Sequence, residues 1–185
     1  YTGMFLFHSI NNLKRSCKSL QSGMKLPDLG VQTKKVIFPR LDGLPKDTIY
    51  LKKIFGMKKD RAIIPHGHSN MASAHIVLDG EMHLRHYEKI NQTEHNLYIK
   101  PSIDKIVKGG DNSSISDEKD NVHWFVANSD RAFTFDVILL DLFDQQYDIH
   151  NIDIYKREEI SNGTFRVPIL SVEEALKKYG KETHH

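Results

Sequence analysis

Short apolar runs separated by polar turn residues form the dominant pattern of this chain, from residue 31 to residue 142. Each run is rich in Val, Ile, Phe or Tyr and is bounded by Gly, Pro, Asn, Asp or Ser, which is typical of β-strands. The predicted strands are 34–38, 48–55, 62–66, 75–78, 82–90, 97–100, 103–107, 122–127 and 132–142. Roughly eight to ten short strands without helices between them predict an all-β barrel or sandwich.

The two ends of the chain depart from this pattern. Residues 1–30 are predicted to form an N-terminal arm, in which residues 10–20 have the composition of a short basic helix. Near the other end, Ser171 and Glu174 have the spacing of a capping box, which predicts a short C-terminal helix. The predicted organisation is an arm (1–30), a β-barrel (31–160) and a C-terminal extension with one helix (161–185).

The overall composition narrows the function mainly by exclusion. A chain of 185 residues can bury one sizeable core, and its formal net charge of +2 gives no indication of a nucleic-acid partner. No apolar run is long enough to span a bilayer. The single cysteine, Cys17, excludes an internal disulfide and a cysteine-built zinc site. We expect a soluble protein, either cytoplasmic or exported, because a chain that begins at Tyr1 is compatible with a cleaved export signal.

Histidine is the residue type whose distribution points to chemistry. Five of the eleven histidines fall between residues 62 and 87. Side chains alternate along a strand, so His66 and His68 share one face, and His123 lies in a later predicted strand. Imidazole is a common ligand of divalent metals, so these three residues are candidate metal ligands. The alternative is a turn with two exposed imidazoles and a hydrogen-bonded core histidine at position 123.

The two histidine segments resemble the signature segments of the cupin superfamily. His66 and His68, then Gly80, and later His123 match the positions of that pattern, whereas the family's glutamate falls on Ser73. The Pro-x-Gly that usually precedes the second segment's histidine is absent as well. The resemblance implies a cupin-type jelly-roll β-barrel that holds one divalent metal on the three histidines.

The missing glutamate directs the resemblance to one group of cupins, the thiol dioxygenases, which hold Fe(II) on three histidines. Within residues 50–142, Asn121, Phe125 and Asp136 match a run in the plant cysteine oxidase and cysteamine dioxygenase branch. This likeness implies Fe(II), O2 and a small thiol substrate. The branch continues into a Gly-Pro-Pro-Tyr turn, but this chain has no tyrosine at Leu142, so the substrate stays open.

Further side chains are candidates for catalysis around that metal. His75 follows Ser73 by two residues, so strand alternation places both on the same side. It is a candidate fourth ligand, an outer partner that fixes a ligand's tautomer, or a proton donor, and we favour the outer partner. Asp136, which the resemblance singles out, is the second candidate for an acid–base role.

The next strand offers a candidate substrate-binding wall. His83, Arg85 and Tyr87 share one of its faces, and Met82, Leu84 and His86 share the other. If the first face points inward, Arg85 is placed to pair with a substrate carboxylate. The alternative is that this face is solvated and lies outside the barrel.

These features together predict a metal-dependent cupin that acts as a mononuclear non-heme Fe(II) dioxygenase on a small thiol and O2. Two alternatives use the same barrel: a non-catalytic module that binds a ligand or metal, and a metal-dependent isomerase or lyase. The chain contains no phosphate-binding glycine loop, no GxSxG segment and no HExxH helix. By analogy with other cupins we also expect a homodimer.

Overall fold

The computed structural model describes residues 18–19, 21–37, 50–143 and 146–179. Within these ranges the strands are, in chain order, β1 (Gln32–Lys35), β2 (Tyr50–Lys58), β3 (His66–Ser69), β4 (Met71–Asp79), β5 (Glu81–Gln92), β6 (Asn96–Lys108), β7 (Asn112–Ser116), β8 (Val122–Ala127), β9 (Arg131–Leu140), β10 (Asp148–Ile152), β11 (Glu158–Ser161) and β12 (Thr164–Leu170). A 3₁₀ turn spans Ile154–Lys156, and helix α1 spans Val172–Tyr179. Cys17 and most of the helix predicted over 10–20 lie outside the described residues.

The strands form two antiparallel sheets whose order is that of a jelly roll. The five-stranded sheet has the order β1-β2-β9-β4-β7, and the seven-stranded sheet has the order β10-β3-β8-β5-β6-β12-β11. The eight strands from β2 to β9 therefore divide into two four-stranded groups, β2-β9-β4-β7 and β3-β8-β5-β6. Two interlocked Greek keys of this kind define the jelly-roll fold. The predicted all-β jelly roll with a short C-terminal helix is confirmed.

Alternating burial along the strands determines which side chains lie between the two sheets. In β4 the buried positions are Met71, Ser73, His75 and Val77, and their neighbours are half-buried or exposed. The apolar residues at one end of this space form a single packed cluster: Met57, Val77, Met82, Leu84, Val107, Phe125, Ala127 and Ala132. The histidines occupy the other end, so the apolar cluster supplies a rigid base for them.

Two further apolar clusters cover the outer faces of the sheets. Val36, Ile54, Phe133 and Phe135 pack beneath residues 24–26 on the five-stranded sheet. On the seven-stranded sheet the cluster consists of Leu97, Ile99, Val122, Trp124, Ile152, Ile154 and Val167. Both sheets are thus covered on two sides, which explains why several strands are apolar on both faces.

Several predicted strand boundaries were wrong for identifiable reasons. Residues 62–65 form no strand apart from a bridge between Ala62 and Val126, and β3 begins at His66 itself. Residues 97–100 and 103–107 belong to the single strand β6, which continues through Pro101. A register shift between His86 and Tyr87 in the neighbouring strand accommodates this proline, because a bulge relieves the missing hydrogen-bond donor.

The capping box predicted at the C-terminal helix is confirmed. The Ser171 backbone N–H donates to Glu174 Oε2 at 2.8 Å, and the Glu174 N–H donates to Ser171 Oγ at 3.2 Å. Helix α1 starts at the next residue, Val172. Strand β12 leads into it and pairs with β6, so the seven-stranded sheet continues to Leu170.

Candidate metal centre

Three imidazoles from two neighbouring strands meet at the histidine end of the barrel. His66 and His68 project from the same face of β3, and His123 lies directly opposite His66 on β8. The nitrogens that these three side chains offer lie within 4.8 Å of one another, and all three residues are buried. The structure therefore brings together the three residues that the sequence identifies as candidate metal ligands.

Each of the three rings has an oxygen partner at the same nitrogen, Nδ1. The pairs are His66 with the Ile64 carbonyl at 2.5 Å, His68 with the Tyr147 hydroxyl at 3.3 Å, and His123 with the Asn121 carbonyl at 3.4 Å. A carbonyl only accepts hydrogen bonds, so the proton of His66 and of His123 lies on Nδ1. The Nε2 lone pair is then available to a metal, which is the usual arrangement of metal-binding histidines.

The burial of the rings keeps them in the neutral form that binds metals. Burial, and after it the repulsion from the neighbouring imidazoles, lowers the pKa of His68 to about 2. Burial also lowers the pKa of His66 and, well below its usual range, that of His123. Metal binding therefore has no proton to displace from these rings near neutral pH.

Asn121 and Gly67 hold β3 close to β8. The Asn121 side chain accepts a hydrogen bond from the His68 N–H at 3.0 Å and donates to the His68 carbonyl at 3.1 Å. A Cβ on Gly67 would lie only 3.0 Å from Asn121 Oδ1 and 3.0 Å from a methyl group of Val122. The close approach of the strands therefore favours glycine between the two histidines, because a larger residue would force Asn121 or Val122 to shift.

His75 lies beside the three candidate ligands without joining them. Its Nε2 is 3.0 Å from Ser73 Oγ and its Nδ1 is 3.3 Å from Ser113 Oγ, so both nitrogens have hydroxyl partners. The centres of the His75 and His123 rings are 5.2 Å apart. Ser73, where the cupin pattern has a glutamate, supplies no carboxylate and instead orients His75.

Asp136 and His75 are buried neighbours whose pKa values shift in opposite directions. Asp136 Oδ2 lies 3.8 Å from His75 Nε2. Burial raises the pKa of Asp136 to about 7 and lowers the pKa of His75 to about 3. Near neutral pH the histidine is therefore neutral, and the carboxyl group is the one that can exchange a proton.

His86 belongs to the same buried group, although no role was predicted for it. Its ring is fully buried 5.9 Å from the ring of His123, and its Nδ1 is 4.0 Å from Asp120 Oδ2. Among the described residues, neither of its ring nitrogens has a hydrogen-bond partner. Its alternation with the apolar Met82 and Leu84 is the sequence signal that could have identified it as inward-facing.

The other face of β5, with His83, Arg85 and Tyr87, points away from the three imidazoles. His83 and Arg85 both contact the carboxylate of Asp104, and Tyr87 stacks on Trp124 with ring centres 5.4 Å apart. His83 and Arg85 line a separate groove on the outside of the seven-stranded sheet. Their positions give no support to a substrate-binding role beside the three imidazoles. They agree with the alternative, in which this face lies outside the barrel.

A cavity of about 640 Å³ opens beside the three imidazoles, between the two sheets. Its walls are mainly apolar and include Leu51, Phe55, Met71, Ile115, Ile138 and Leu140. The polar groups on the walls include Lys53, Ser73, His75, Asp136 and Tyr147. A mostly apolar pocket with a few convergent polar groups is typical of a small-molecule site.

No helix in the described part of the chain is both long enough and apolar enough to cross a membrane.

The likeness of this chain to known proteins is limited to the fold. No protein-family model and no curated protein matches this chain. Among solved structures, procruciferin, an 11S globulin from Brassica napus, is similar over 55% of this chain at 16% identity, with a TM-score of 0.43. This chain spans only 23% of the length of that protein.

Two smaller proteins are covered over most of their length. An uncharacterised protein with a double-stranded β-helix domain from Klebsiella pneumoniae aligns over 70% of this chain and 91% of its own, at 12% identity and a TM-score of 0.47. A cupin superfamily protein from Desulfitobacterium hafniense aligns over 64% of this chain and 84% of its own, at 10% identity and a TM-score of 0.42. The fold assignment itself comes from the strand order, and these likenesses add nothing about chemistry.

Proposed function

We propose that this protein is a metal-dependent cupin that binds one divalent ion on His66, His68 and His123 and acts as an Fe(II) thiol dioxygenase. One observation carries the proposal. The nitrogens of three buried, neutral imidazoles lie within 4.8 Å of one another, and each ring has a hydrogen-bond contact between Nδ1 and an oxygen. Three such rings facing one another are therefore best explained by an ion between them.

The donor set suits iron. Imidazole is a borderline ligand that binds Fe, Zn, Cu and Ni, and the closely related arrangement of two histidines and a carboxylate holds Fe(II) in oxygenases. When bound, Fe(II) supplies one-electron redox chemistry and coordination positions that three side chains leave open. The absence of a fourth protein ligand at Ser73 favours a substrate that itself binds the metal.

The surrounding residues have separable roles in this proposal. The overall reaction, RSH + O2 → RSO2H, adds both oxygen atoms to sulfur, so the thiol proton must be accepted and later released. Asp136, with a pKa raised to about 7, is suited to hold that proton, because its two protonation states are close in free energy at neutral pH. His75, fixed by two serine hydroxyls, positions Asp136, and the apolar walls limit the access of water.

The test is O2 consumption by iron-loaded protein. Protein purified without oxygen and loaded with Fe(II) is expected to consume O2 with at least one small thiol and to form the sulfinate, whereas the His123→Ala variant does not. His83→Ala, on the outer face, is the matched control and is expected to keep full activity. Full iron loading with no O2 consumption for any thiol would refute the dioxygenase, and stoichiometric retention of a ligand without product would favour a binding module.

The homodimer expected from the resemblance remains a separate prediction. Sedimentation of the purified protein at several concentrations measures the molecular mass directly. A single species of about 21 kDa would contradict the dimer.

A further inference from the structure

A row of charged and polar side chains crosses the five-stranded sheet opposite the three imidazoles. Lys53 on β2 is in register with Asp136 on β9, and Asp136 is in register with His75 on β4. All three side chains line the same cavity. Neighbouring strands lie about 4.8 Å apart, so the Lys53 and His75 backbones are separated by about 10 Å. The ammonium group is thus at the far end of the row from the candidate metal centre.

Among the described residues, Lys53 has one charged neighbour, Asp136, with which it interacts electrostatically across the strand pair. It is half-buried, and within the described ranges no carboxylate forms a salt bridge with its Nζ and no acceptor is hydrogen-bonded to it. Burial raises the pKa of Asp136 to about 7, so near neutral pH this carboxyl group compensates the charge of Lys53 only in part. A cation in the wall of a largely apolar cavity is an attractive site for an anionic group of a ligand.

The rows on either side of Lys53 are mainly apolar, with Thr134 in register with Phe55 and Ser73 in register with Ile138. Leu51 is in register with Ile138, and Phe55 lies on the opposite side of Lys53 along the same face of β2. Together with the volume of about 640 Å³, these walls fit a ligand well beyond the size of cysteine, because drug-sized ligands occupy pockets of about 300–1,000 Å³.

The residues at the mouth of the cavity are also apolar, and they are exposed. Leu29, Ile149 and Leu176 line the cavity, yet they are 41%, 40% and 54% exposed, respectively. Exposed aliphatic side chains grouped around one opening commonly mark a surface that contacts an apolar ligand. The whole route from the mouth inward is therefore suited to an aliphatic chain.

We infer that the ligand of this cavity is an elongated amphipathic carboxylate, with an aliphatic body against the apolar walls and a carboxylate at Lys53. The carboxylate end and the aliphatic body are argued from the cavity alone. The inference rests on the proposed function only for the opposite end of the ligand, which lies at the three imidazoles. For a thiol dioxygenase that end is the thiol, so the substrate class is an ω-mercapto fatty acid of medium length. Free cysteine would leave most of the cavity unfilled.

Calorimetric titration of metal-loaded protein, without oxygen, tests the chain length and the charge. The probes are ω-mercapto-octanoate, its alcohol analogue ω-mercapto-octanol, and mercaptopropionate. We expect the octanoate to bind at least about tenfold more tightly than mercaptopropionate, because each further buried methylene adds to the affinity. Tighter binding of mercaptopropionate would overturn the inference.

Three substitutions locate the two parts of the site. Lys53→Met is expected to weaken the binding of ω-mercapto-octanoate about tenfold or more, because a charge-assisted hydrogen bond is lost. The affinity for ω-mercapto-octanol is expected to stay unchanged. Lys59→Met removes the same charge from an exposed turn at the end of β2 and serves as the control. Leu176→Ser, at an exposed position, is expected to weaken the binding of both long probes and to leave the affinity for mercaptopropionate unchanged. Equal behaviour of the Lys53 and Lys59 variants would refute the carboxylate site.

Octanoate, which has no thiol, separates this inference from the proposed function. It is expected to bind to metal-free protein, and to lose affinity in Lys53→Met but not in Lys59→Met. Octanoate binding in a protein that retains no metal would support the cavity inference and refute the metal function alone. Metal binding at one ion per chain, with no preference for long or anionic probes, would refute the cavity inference alone.

Discussion

The two faces of the β5–β8 pair carry similar side chains in opposite environments. On the inner face, His86 and His123 are buried against other imidazoles, and burial lowers the pKa of both. On the outer face, His83 is hydrogen-bonded to the carboxylate of Asp104. This hydrogen bond is the main cause of the lowered pKa of Asp104. Burial keeps the inner imidazoles in the neutral form that a metal requires, whereas the outer imidazole of His83 lies against an exposed carboxylate.

The strongest way to test this contrast is to remove one histidine from each face. His66→Ala removes one of three donors and is expected to lower the metal affinity by more than about a hundredfold, since removal of an outer partner alone typically costs about 10–100-fold. Elemental analysis after desalting should then fall from near one ion per chain to background. His83→Ala is expected to retain the full complement. Equal loss of metal in both variants would contradict a site on the inner face only.

The second test uses acid instead of mutation, on protein from which metal has been removed. Below pH 6.5 the unfolded chain takes up protons that the buried rings of the native state exclude, so stability is present above that pH and is lost as the pH falls. The rings concerned are those of His66, His68, His75, His86, His123 and His150, whose pKa values are all lowered mainly by burial. Each proton difference contributes about 1.4 kcal/mol per pH unit.

Asp136 opposes this trend and reduces the change of stability with pH. Its pKa is raised to about 7 from an ordinary value of 3.8, so between these values the native state holds one proton more than the unfolded chain, and stability falls as the pH rises. The imidazoles with lowered pKa values outnumber this one carboxyl group, so the net expectation is that stability falls as the pH falls below 6.5. Urea unfolding in the presence of a chelator at pH 6.5 and 5.5 measures the slope. A flat profile would show that the inner rings are solvated.

Residue alternation made the metal ligands predictable but left the neighbouring strand undecided. His66 and His68 could be assigned to one face from their spacing alone, and the bounds predicted for the strand that carries His123 agree with β8. For β5, Met82 and Leu84 indicate the inner face, but both faces carry a histidine, so the choice was left open from the sequence alone. That choice depends on β8 and β6 pairing on either side of β5, which are long-range contacts.

Four strands, β7, β10, β11 and β12, have no counterpart among the predicted strands, and two of them lack an apolar run. Strand β7 reads NSSIS and β11 reads EEIS, so neither has the apolar run on which the prediction relied. Each forms because an adjacent strand provides a hydrogen-bonding edge, β4 for β7 and β12 for β11. Ser113 of β7 nevertheless reaches His75, so a strand invisible to pattern analysis contributes to the candidate site.

A third, smaller effect is expected from the partner of a single inner ring. Tyr147→Phe removes the hydroxyl that contacts His68 Nδ1 at 3.3 Å, so the ring loses the contact that orients it. We expect the metal affinity to fall by about 10–100-fold with the stoichiometry unchanged. Competition against a chelator of known affinity measures the change. Tyr87→Phe, on the outer face, is the matched control, and an equal loss in that variant would indicate a general effect on the fold.

The smallest expected effect belongs to the outer pair of His83 and Asp104. Because Asp104 is 63% exposed, solvent and salt screen the interaction, and a double-mutant cycle with His83→Ala and Asp104→Asn should give a coupling below about 1 kcal/mol. The same variants should leave the metal content and the acid sensitivity of the metal-free protein unchanged. A coupling that persists in high salt, or a metal content that changes with Asp104, would mean that the two faces communicate through the sheet. A small, salt-sensitive coupling would instead mean that alternation along one strand is enough to keep ion-pair chemistry and metal chemistry apart.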